Sequence, residues 1–593
     1  MSLPEPRILH YTRWLREQRG LAFDPTTVEG YDALWRWSVD DLDAFWGSIW
    51  DYFGLQSPTP HTAVLAEARM PGARWFPGAQ LNYAQQVFRH ADAAHAAGHP
   101  AIVFQNEPMR ERGELQQIDW PELRRQVGSF AQALRGMGVQ RGDRVCAFLP
   151  NTPPTAIAFL AAASLGAIWS ICSPDMGPLA VLDRFRQIAP TVLIACDGYT
   201  WGGTPHDRLP VLRHLLDELP SVRDVVLLRY RDRGADPASL ATDTRRAHDF
   251  DTLVAGDAPL QPEWLPFDHP LWVVYSSGTT GLPKPIVHGH GGVVIEALKM
   301  GALHNDLGPS AETGDRFHWY SATGSPLAND CYRWVWDHVP KVDGRDIWLA
   351  PISGGTDFAG SFVAGLPTLP VVEGEMQCRC LGASVEAWNE QGEPLVDAVG
   401  ELVCTEPMPS MPLHFWNDPQ DRRYRDSYFD MYPGVWRHGD WIRITPRGGA
   451  IIYGRSDATI NRHGIRMGTA ELYRAVEAIP EVLDSLVVDL EYLGRESYMP
   501  LFVVLRDGVV LDEALTKRLK AAIREALSAR HVPNEIFQVE AIPRTLSGKK
   551  MELPVKKLLM GTAPEQVFKL DAMANAGAVA WFVAFAQRRA QAG

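Results

Sequence analysis

One stretch of the sequence, YSSGTTGLPKPIVH at residues 275–288, constrains the fold of this chain more than any other. The apolar run 270–275 precedes it and predicts a buried strand of the parallel type. A loop follows in which small hydroxyl side chains alternate with glycines, and a lysine closes it. Glycines let backbone N–H groups turn inward together, hydroxyls add donors, and the lysine adds positive charge, as a polyphosphate site requires. The residues that we expect to hold the phosphates are Ser276, Ser277, Gly278, Thr279, Thr280, Gly281 and Lys284.

This loop differs from two familiar phosphate-binding loops. A Walker loop has Ser or Thr after its lysine, whereas Pro285 follows Lys284 here, and the glycines stand too close together. The segment 288–292 lacks the third glycine of a dinucleotide fingerprint. A polar surface loop between two core elements is the alternative, since Gly/Ser/Thr loops are common. The order strand, loop, lysine favours the phosphate site.

Composition limits the class of protein. A chain of 593 residues is too long for one core, so we expect two or more domains. The formal net charge of −14 argues against a nucleic-acid partner, which needs a positive surface. The start lacks a signal-peptide pattern, and the apolar segment 155–172 is better explained as a buried helix leading into a strand than as a membrane span. Seven cysteines in a long chain indicate reduced thiols, so we predict a cytoplasmic protein without a membrane partner.

The order of patterns predicts an α/β fold with a second, smaller domain. Aromatic residues at helical spacing suggest an N-terminal helical cap, residues 1–95. Short apolar strands then alternate with helices, which predicts parallel sheets flanked by helices, and short strands with Pro and Gly at 365–454 predict a β-rich subdomain. Together these form a large N-terminal domain, residues 96–455. Beyond a hinge at 455–457 we predict a small mobile α+β C-terminal domain, residues 456–593.

Four further clusters carry residues suited to nucleotide chemistry. In 353–357 a hydroxyl next to a carboxylate ends a strand, where the pair can contact a phosphate and its Mg²⁺. In 436–440 a carboxylate follows a glycine and can accept two ribose hydroxyl bonds. Two arginines around a glycine in 453–466 can clamp phosphate and ribose. The segment 543–550 is a loop ending in lysines. Taken singly, each cluster is more often an ordinary turn or a solvated surface.

Taken together, the order and spacing of these clusters resemble the adenylate-forming superfamily, and in detail the acetoacetyl-CoA synthetase family. The resemblance covers nearly the whole length, from the phosphate loop to the lysine of the SGK triplet. The segments that carry it are 74–83, 169–177, 354–357, 408–412, 456–461 and 549–556, with 571–575 and 581–585 in the tail.

The resemblance implies an acid–thiol ligase that uses ATP, CoA and Mg²⁺. A carboxylate attacks the α-phosphorus of ATP to give an acyl-adenylate and pyrophosphate, and the CoA thiol then displaces AMP. The enzyme must stabilise charge at phosphorus and exclude water from the anhydride. The roles implied are phosphate contact for Gly355 and Thr356, metal binding for Asp357, ribose binding for Asp440 and Arg455, space for pantetheine at Gly464, phosphate binding for Arg466, and adenylation by Lys549, with Asp457 as the pivot.

The identity of the acid is less constrained. Acetyl-CoA synthetases carry Trp where this chain has Gly354, and loss of an indole opens space for a four-carbon keto acid. Glycine can equally be required by the backbone. The resemblance favours acetoacetate, and another short acid such as acetate, propionate or butyrate is the alternative.

The chain departs from the family at one place. Thr323-Gly324 runs directly into SPLAND at 325–330, as if two similar Thr-Gly sites had been fused. Several tens of residues are missing, and we expect them to include part of the acyl-pocket wall and of the central sheet. Either the remaining sheet pairs across the break, or the protein is destabilised and poorly active. We expect nucleotide binding to survive better than acid selectivity, and a nucleotide-binding protein without catalysis is a third hypothesis.

Overall fold

A computed structural model describes most of the chain. It covers residues 5–276, 282–308, 319–323, 327, 329–342, 344–456, 460–462, 465–467, 469–490, 498–526 and 531–592. Within these ranges, no helix combines the length and apolarity needed to cross a bilayer. All seven cysteines are free thiols.

The N-terminal region is helical and packs on the β-rich part of the chain. Phe45 and Trp46 are fully buried there, and the Trp35 indole donates to the carbonyl oxygen of Ala383 at 3.1 Å. The aromatic residues therefore form an interface with the larger body. The elements are α1 (Arg7–Arg19), α2 (Val28–Asp40), α3 (Leu42–Tyr52), β1 (Leu65–Glu67), β2 (Arg74–Trp75), β3 (Gln80–Leu81), α4 (Tyr83–Phe88) and α5 (Ala91–Ala96).

Alternating strands and helices follow and build the large sheet. Its strands bury apolar side chains on both faces, so helices cover both sides. The elements are β4 (Ile102–Phe104), α6 (Glu107–Glu111), β5 (Gln116–Ile118), α7 (Trp120–Gly136), β6 (Arg144–Phe148), α8 (Pro153–Ser164), β7 (Ile168–Cys172), α9 (Pro178–Ile188), β8 (Val192–Cys196), β9 (Gly198–Trp201), β10 (Thr204–Asp207), α10 (Leu209–Glu218), β11 (Asp224–Leu228), β12 (Arg246–Asp249), α11 (Phe250–Val254), β13 (Leu265–Pro266), β14 (Pro270–Ser276), β15 (Lys284–Gly289) and α12 (His290–Lys299).

The predicted phosphate loop lies inside a β-hairpin. Strand β14 pairs in parallel with β7 but antiparallel with β15, and Ser276 faces Lys284 in the ladder. The prediction of a parallel strand therefore holds for one neighbour only, and β14 is half-buried rather than fully buried. The described elements that flank residues 277–281 are two antiparallel strands, whereas a Walker loop lies between a strand and a helix.

The strands on either side of the sequence break pair with each other. Strand β16 is parallel to β17, and the ladder continues as Ile352 N–H donates to the Ala322 carbonyl oxygen at 2.9 Å. Among the described residues these two strands form a separate two-stranded sheet outside the large sheet, so pairing of the central sheet across the break stays a prediction. The elements are β16 (Trp319–Tyr320), α13 (Asn329–His338), β17 (Trp348–Leu349), β18 (Ser353–Gly355), β19 (Gly360–Ala364) and β20 (Cys378–Arg379).

An antiparallel subdomain follows, as predicted. Its strands β21 (Val385–Trp388), β22 (Gly400–Cys404), β24 (Trp436–Ile444) and β25 (Ala450–Arg455) pair in the order β21-β22-β24-β25. Between them, β23 (His414–Phe415) pairs with β15 and completes the large sheet, whose order is β12-β11-β8-β6-β7-β14-β15-β23. Helix α14 (Arg422–Tyr428) packs beside β24.

The C-terminal region has its own α+β core around a three-stranded sheet, β28-β29-β30. The domain boundaries at 95 and 455 stay predictions. The elements are β26 (Ile460–Arg462), β27 (Ile465–Met467), α15 (Thr469–Glu477), β28 (Val482–Val487), β29 (Pro500–Leu505), α16 (Glu513–Ala526), β30 (Glu535–Gln538), α17 (Glu552–Leu559), α18 (Pro564–Val567) and α19 (Val579–Ala592).

The tail of the chain docks back on the large sheet region. The Asp571 carboxylate accepts from Ala180 N–H at 2.7 Å in the first turn of α9, and the Asp571 carbonyl oxygen accepts from Gly177 N–H at 3.0 Å. A carboxylate at a helix N-terminus is favourable electrostatically. A Cβ added at Gly177 would lie 2.1 Å from that of Asp571, so this contact requires glycine.

Candidate active site

The turn that follows β18 carries the Gly-Thr-Asp triplet of the sequence analysis. Thr356 is exposed at its tip and Asp357 is partly buried. The backbone oxygen of Asp357 accepts from Nε2 of His288 at 3.0 Å, and Trp272 donates to the other ring nitrogen at 2.9 Å. Burial lowers the pKa of His288 to about 4, so this imidazole is neutral at pH 7 and bridges β15 to the turn. The turn is thereby held against the base of the phosphate-loop hairpin.

A tyrosine that the sequence did not single out holds the Asp357 carboxylate. The Tyr428 hydroxyl, at the end of α14, donates to Oδ1 of Asp357. The Tyr428 ring stacks on Trp436 with 3.9 Å between ring centroids. The Lys284 ammonium lies 4.8 Å from the centroid of the Tyr428 ring. Tyr428 therefore connects the metal-binding candidate to the lysine of the phosphate loop.

Strands β24 and β25 supply the predicted ribose-binding pair. Asp440 faces Arg455 across the ladder, with Nε of the arginine 3.8 Å from Oδ1 of the aspartate. His438, buried on the same face, has Nε2 3.5 Å from Oδ2 of Asp440. Gly439 between them has φ +86°, a conformation that disfavours any side chain there.

Close approach fixes a glycine at position 355. A Cβ added to Gly355 would lie 3.0 Å from Cε1 of His438 and 3.5 Å from Oδ2 of Asp357. The predicted phosphate contact thus has a packing reason for being glycine, because a side chain would require the His438 ring to shift by a few tenths of an ångström.

Gly354 is required by the backbone around it rather than by the space that a longer acid would need. A Cβ at Gly354 would lie 2.2 Å from the carbonyl oxygen of Gly360 and 2.8 Å from the Cα of Ser361. Since β18 and β19 pair at this point, the backbone itself excludes a side chain. The structure supports the backbone explanation of Gly354 rather than the loss of an indole for a longer acid.

Opposing charges meet around Asp357. Burial raises the pKa of this carboxyl, but His438, the Tyr428 hydrogen bond, Lys284 and Arg455 together outweigh burial, and the net pKa is lowered. The group is therefore ionised at neutral pH. One carboxylate beside a phosphate site suits Mg²⁺, which binds through one or two carboxylates and substrate phosphates. Elsewhere, the ranges that the structure covers contain no cluster of three or more His, Cys, Asp or Glu suited to a metal.

The predicted adenylation lysine lies close to this cluster. Burial lowers the pKa of His438. The negative charges of Asp440 and Asp357 act in the opposite direction, and the positive charges of Arg455 and Lys549 lower this pKa further. Lys549 is exposed at the end of a tight loop, whose Thr545 N–H donates to its carbonyl oxygen at 2.9 Å. Helix α15 of the same C-terminal region packs against β25, the strand that ends at Arg455.

The structure brings together most of the predicted residues that it describes. Lys284, Asp357, Asp440, Arg455 and Lys549 lie around one cleft, which we call the candidate site. Beside them are Ser276, Gly355 and Thr356, on the strands and turn already described. Of Arg466 the structure gives the backbone, in β27. The predictions at Ser277, Gly278, Thr279, Thr280, Gly281, Asp457 and Gly464 lie outside the described residues.

Sequence reasoning missed His288, Tyr428 and His438. His438 lies inside the 436–440 cluster, where only Asp440 was considered, so that cluster held a usable signal. Tyr428 gave no signal, because Tyr424 and Tyr428 one turn apart are typical of a helix face packed on a core.

Comparison with known proteins defines the class first. Residues 88–334 match the family model described as AMP-binding enzyme, residues 31–87 match acetyl-coenzyme A synthetase N-terminus, and residues 474–549 match AMP-binding enzyme C-terminal domain. The matched regions define the chain as an AMP-binding enzyme of the acetyl-coenzyme A synthetase type.

The relatives then define the family. An acetoacetyl-CoA synthetase of Macaca fascicularis is 36% identical over 91% of this chain and 90% of its own. One of Rhizobium meliloti is 37% identical over 96% and 95%. The solved structure of acetoacetyl-CoA synthetase from Streptomyces lividans has a TM-score of 0.89 and 42% identity, covering 99% of this chain and 98% of that one. The chain belongs to the acetoacetyl-CoA synthetase family.

The same alignments bear on the missing segment. They extend over 623 and 644 residues, more than the 593 of this chain. Each relative therefore has residues for which this chain has no counterpart. That the loss lies after Gly324 stays a prediction from the fused Thr-Gly motif.

Proposed function

We propose that this chain is an ATP-dependent acid–CoA ligase that forms acetoacetyl-CoA from acetoacetate, ATP and CoA. The reaction passes through an acyl-adenylate and releases AMP and pyrophosphate. One observation carries the proposal: Lys284, Asp357, Asp440, Arg455 and Lys549 converge on one cleft in a chain of this family.

In the first half-reaction, a carboxylate oxygen of the acid bonds to the α-phosphorus as the bond to the pyrophosphate oxygen breaks. Lys284 would hold the outer phosphates, and Thr356 the α-phosphate. Mg²⁺, held by Asp357, would offset the charge of the departing phosphates. Lys549 would donate to the oxygens on which charge develops in the transition state.

The surrounding residues keep this arrangement in place. Asp440 and Arg455 would bind the ribose, and burial favours the neutral form of the His438 imidazole beside them. Tyr428 would orient Asp357 so that its other oxygen remains available to a cation. Arg466 would meet a phosphate.

In the second half-reaction, the CoA thiol gives its proton to solvent, its sulfur bonds to the acyl carbonyl carbon, and AMP leaves with the electron pair of the broken C–O bond. Gly464 would leave room for the pantetheine arm, and Asp457 would be the pivot on which the C-terminal domain turns between the two steps. The cytoplasmic location predicted from composition belongs to this proposal as well.

A nucleotide-binding protein without catalysis is the competing function. It rested on loss of sheet continuity at the break, and the acetoacetyl-CoA synthetase relatives of this chain favour the ligase over it. Purified protein incubated with acetoacetate, ATP, CoA and Mg²⁺ should yield acetoacetyl-CoA, AMP and pyrophosphate in equal amounts by liquid chromatography. Formation of ADP and phosphate, or ATP binding without any product, would contradict the proposal.

A further inference from the structure

The second lysine of the SGKK segment, Lys550, has a buried role of its own. Its side chain is only 14% exposed. The ammonium lies 2.6 Å from Oε1 of Glu477 and 3.1 Å from Oδ1 of Asp484, and 3.7 Å from the ring centroid of Tyr473. The Lys550 ammonium therefore pairs with two carboxylates and contacts an aromatic ring.

These partners belong to the fixed core of the C-terminal region. Tyr473 and Glu477 lie on α15, and Asp484 lies on β28. Glu477 also accepts from the Ser485 hydroxyl at 2.7 Å. Partly buried charges with several hydrogen-bonded partners hold their geometry better than exposed pairs do.

The Asp484 carboxylate also holds Arg544, at the start of the segment 544–550. Arg544 donates to Oδ2 of Asp484 at 2.7 Å and also to the carbonyl oxygen of Gly548. Arg544 and Lys550 form an antiparallel bridge. Asp484 thus joins both ends of residues 544–550, which we call the lysine loop.

The clamp on Lys550 determines where Lys549 points. Successive side chains on extended backbone project to opposite sides. Because Lys550 points into the C-terminal core, the exposed Lys549 should point away from that core, and α15 of the same region packs against β25 of the candidate site. The fixed end of the loop also limits how far the Lys549 ammonium can swing.

We infer that Lys550, clamped by Glu477 and Asp484, is a positioning residue for the adenylation half-reaction. It aims Lys549 at the α-phosphate and touches no substrate itself. This inference rests on the proposed function, because it explains how Lys549 is held in position for adenylation.

A mutant cycle tests the inference. Lys550→Met keeps an unbranched side chain one heavy atom shorter and removes the charge. It should slow ATP–pyrophosphate exchange on the order of 10-fold or more, without exceeding the loss in Lys549→Met. Thioester formation from supplied acyl-adenylate should change by less than about 2-fold. The double variant should equal Lys549→Met within about 2-fold, since Lys550 acts only through its neighbour.

Controls separate positioning from a loss of folding. Lys517→Met removes a pair with Glu513 on the exposed face of α16, at 74% exposure, and should leave both half-reactions unchanged. Lys550→Arg keeps both carboxylates paired and should recover part of the exchange activity. A double variant whose loss is the product of the single losses would overturn the inference, as would equal losses in both half-reactions.

An assay without the acid substrate distinguishes a failure of this inference from a failure of the proposed function. ATP should protect Lys549 from an amine-reactive ester, measured by mass spectrometry of the peptide. In Lys550→Met that protection should fall several-fold while ATP affinity stays within about 2-fold. Unchanged protection would refute the positioning role. A wild-type protein that gives no exchange with any acid would instead refute the proposed function.

Discussion

Replacing Tyr428 by phenylalanine removes a single hydroxyl from the candidate site. The ring keeps its stacking on Trp436 and its contact with the Lys284 ammonium, while Asp357 loses a hydrogen-bond donor. Tyr428 is only 3% exposed, so water does not readily replace the lost donor. A hydrogen bond to a charged group contributes about 1.5–3 kcal/mol, which corresponds to roughly a 10- to 150-fold change in rate.

We therefore expect kcat/KM for ATP–pyrophosphate exchange to fall on the order of 10- to 100-fold in Tyr428→Phe. The pH profile should change as well. Activity that needs the Asp357 carboxylate is lost as pH falls through its pKa, which the site holds below the usual range despite burial. Without the tyrosine hydroxyl this pKa rises, so the acid-side loss of activity should begin at higher pH.

The same helix provides a matched control. Tyr424 is 1% exposed and donates to the carbonyl oxygen of Pro412 at 3.1 Å, one turn before Tyr428. Tyr424→Phe should lower stability by about 1 kcal/mol and leave exchange per folded molecule unchanged. Equal exchange rates and equal pH profiles in the two variants would refute the role given to Tyr428.

Three further changes test other parts of the structure. Lys549→Ala should slow adenylation on the order of 10²–10³-fold and leave thioester formation from supplied acyl-adenylate little changed, and equal loss in both steps would contradict its role. Gly354→Ala forces a Cβ against the carbonyl oxygen of Gly360. It should destabilise the protein by roughly 1–3 kcal/mol and lower activity with every acid alike, whereas altered acid preference with an unchanged melting curve would restore the acyl-space explanation. Glu296→Gln breaks a fully buried pair with Lys299, 2.8 Å apart. It should cost about 3–5 kcal/mol and lower the melting temperature by several degrees.

An exposed pair provides the comparison for Glu296. Glu513→Gln removes the partner of Lys517 on α16, where both side chains are at least 74% exposed. An exposed pair contributes about 0.2–1 kcal/mol at most, so this variant should melt nearly as the unchanged protein does. Similar melting temperatures for the two variants would show that the buried pair contributes little.

The sequence predicted the class of fold because its periodic patterns are local. Strands β6, β7 and β8 could be predicted because each is a short apolar run separated from the next by a helical segment. The pairing of β16 with β17 could not, since the register between strands separated by a helix and loops depends on tertiary packing. The hairpin geometry of β14 was missed for a similar reason, because a short apolar run does not define its neighbours.

In the candidate site, too, some residues could be predicted from the sequence and others could not. Asp357 and Asp440 could be found because each carboxylate ends a short glycine-containing motif, after a threonine in the first case and a glycine in the second. Tyr428 acts on Asp357 from 71 positions away, and that contact exists only after α14 packs beside β24. Gly354 shows the opposite problem: its sequence context allowed two explanations, and only the distance to Gly360 separates them.

Pyrophosphate exchange with a panel of acids tests the central claim most directly. Radiolabelled pyrophosphate should enter ATP when acetoacetate is present, faster than with acetate, propionate or butyrate, and with no CoA added. Faster exchange with one of the other acids would keep the ligase and change its substrate. No exchange with any acid, from protein that still binds ATP, would contradict the account.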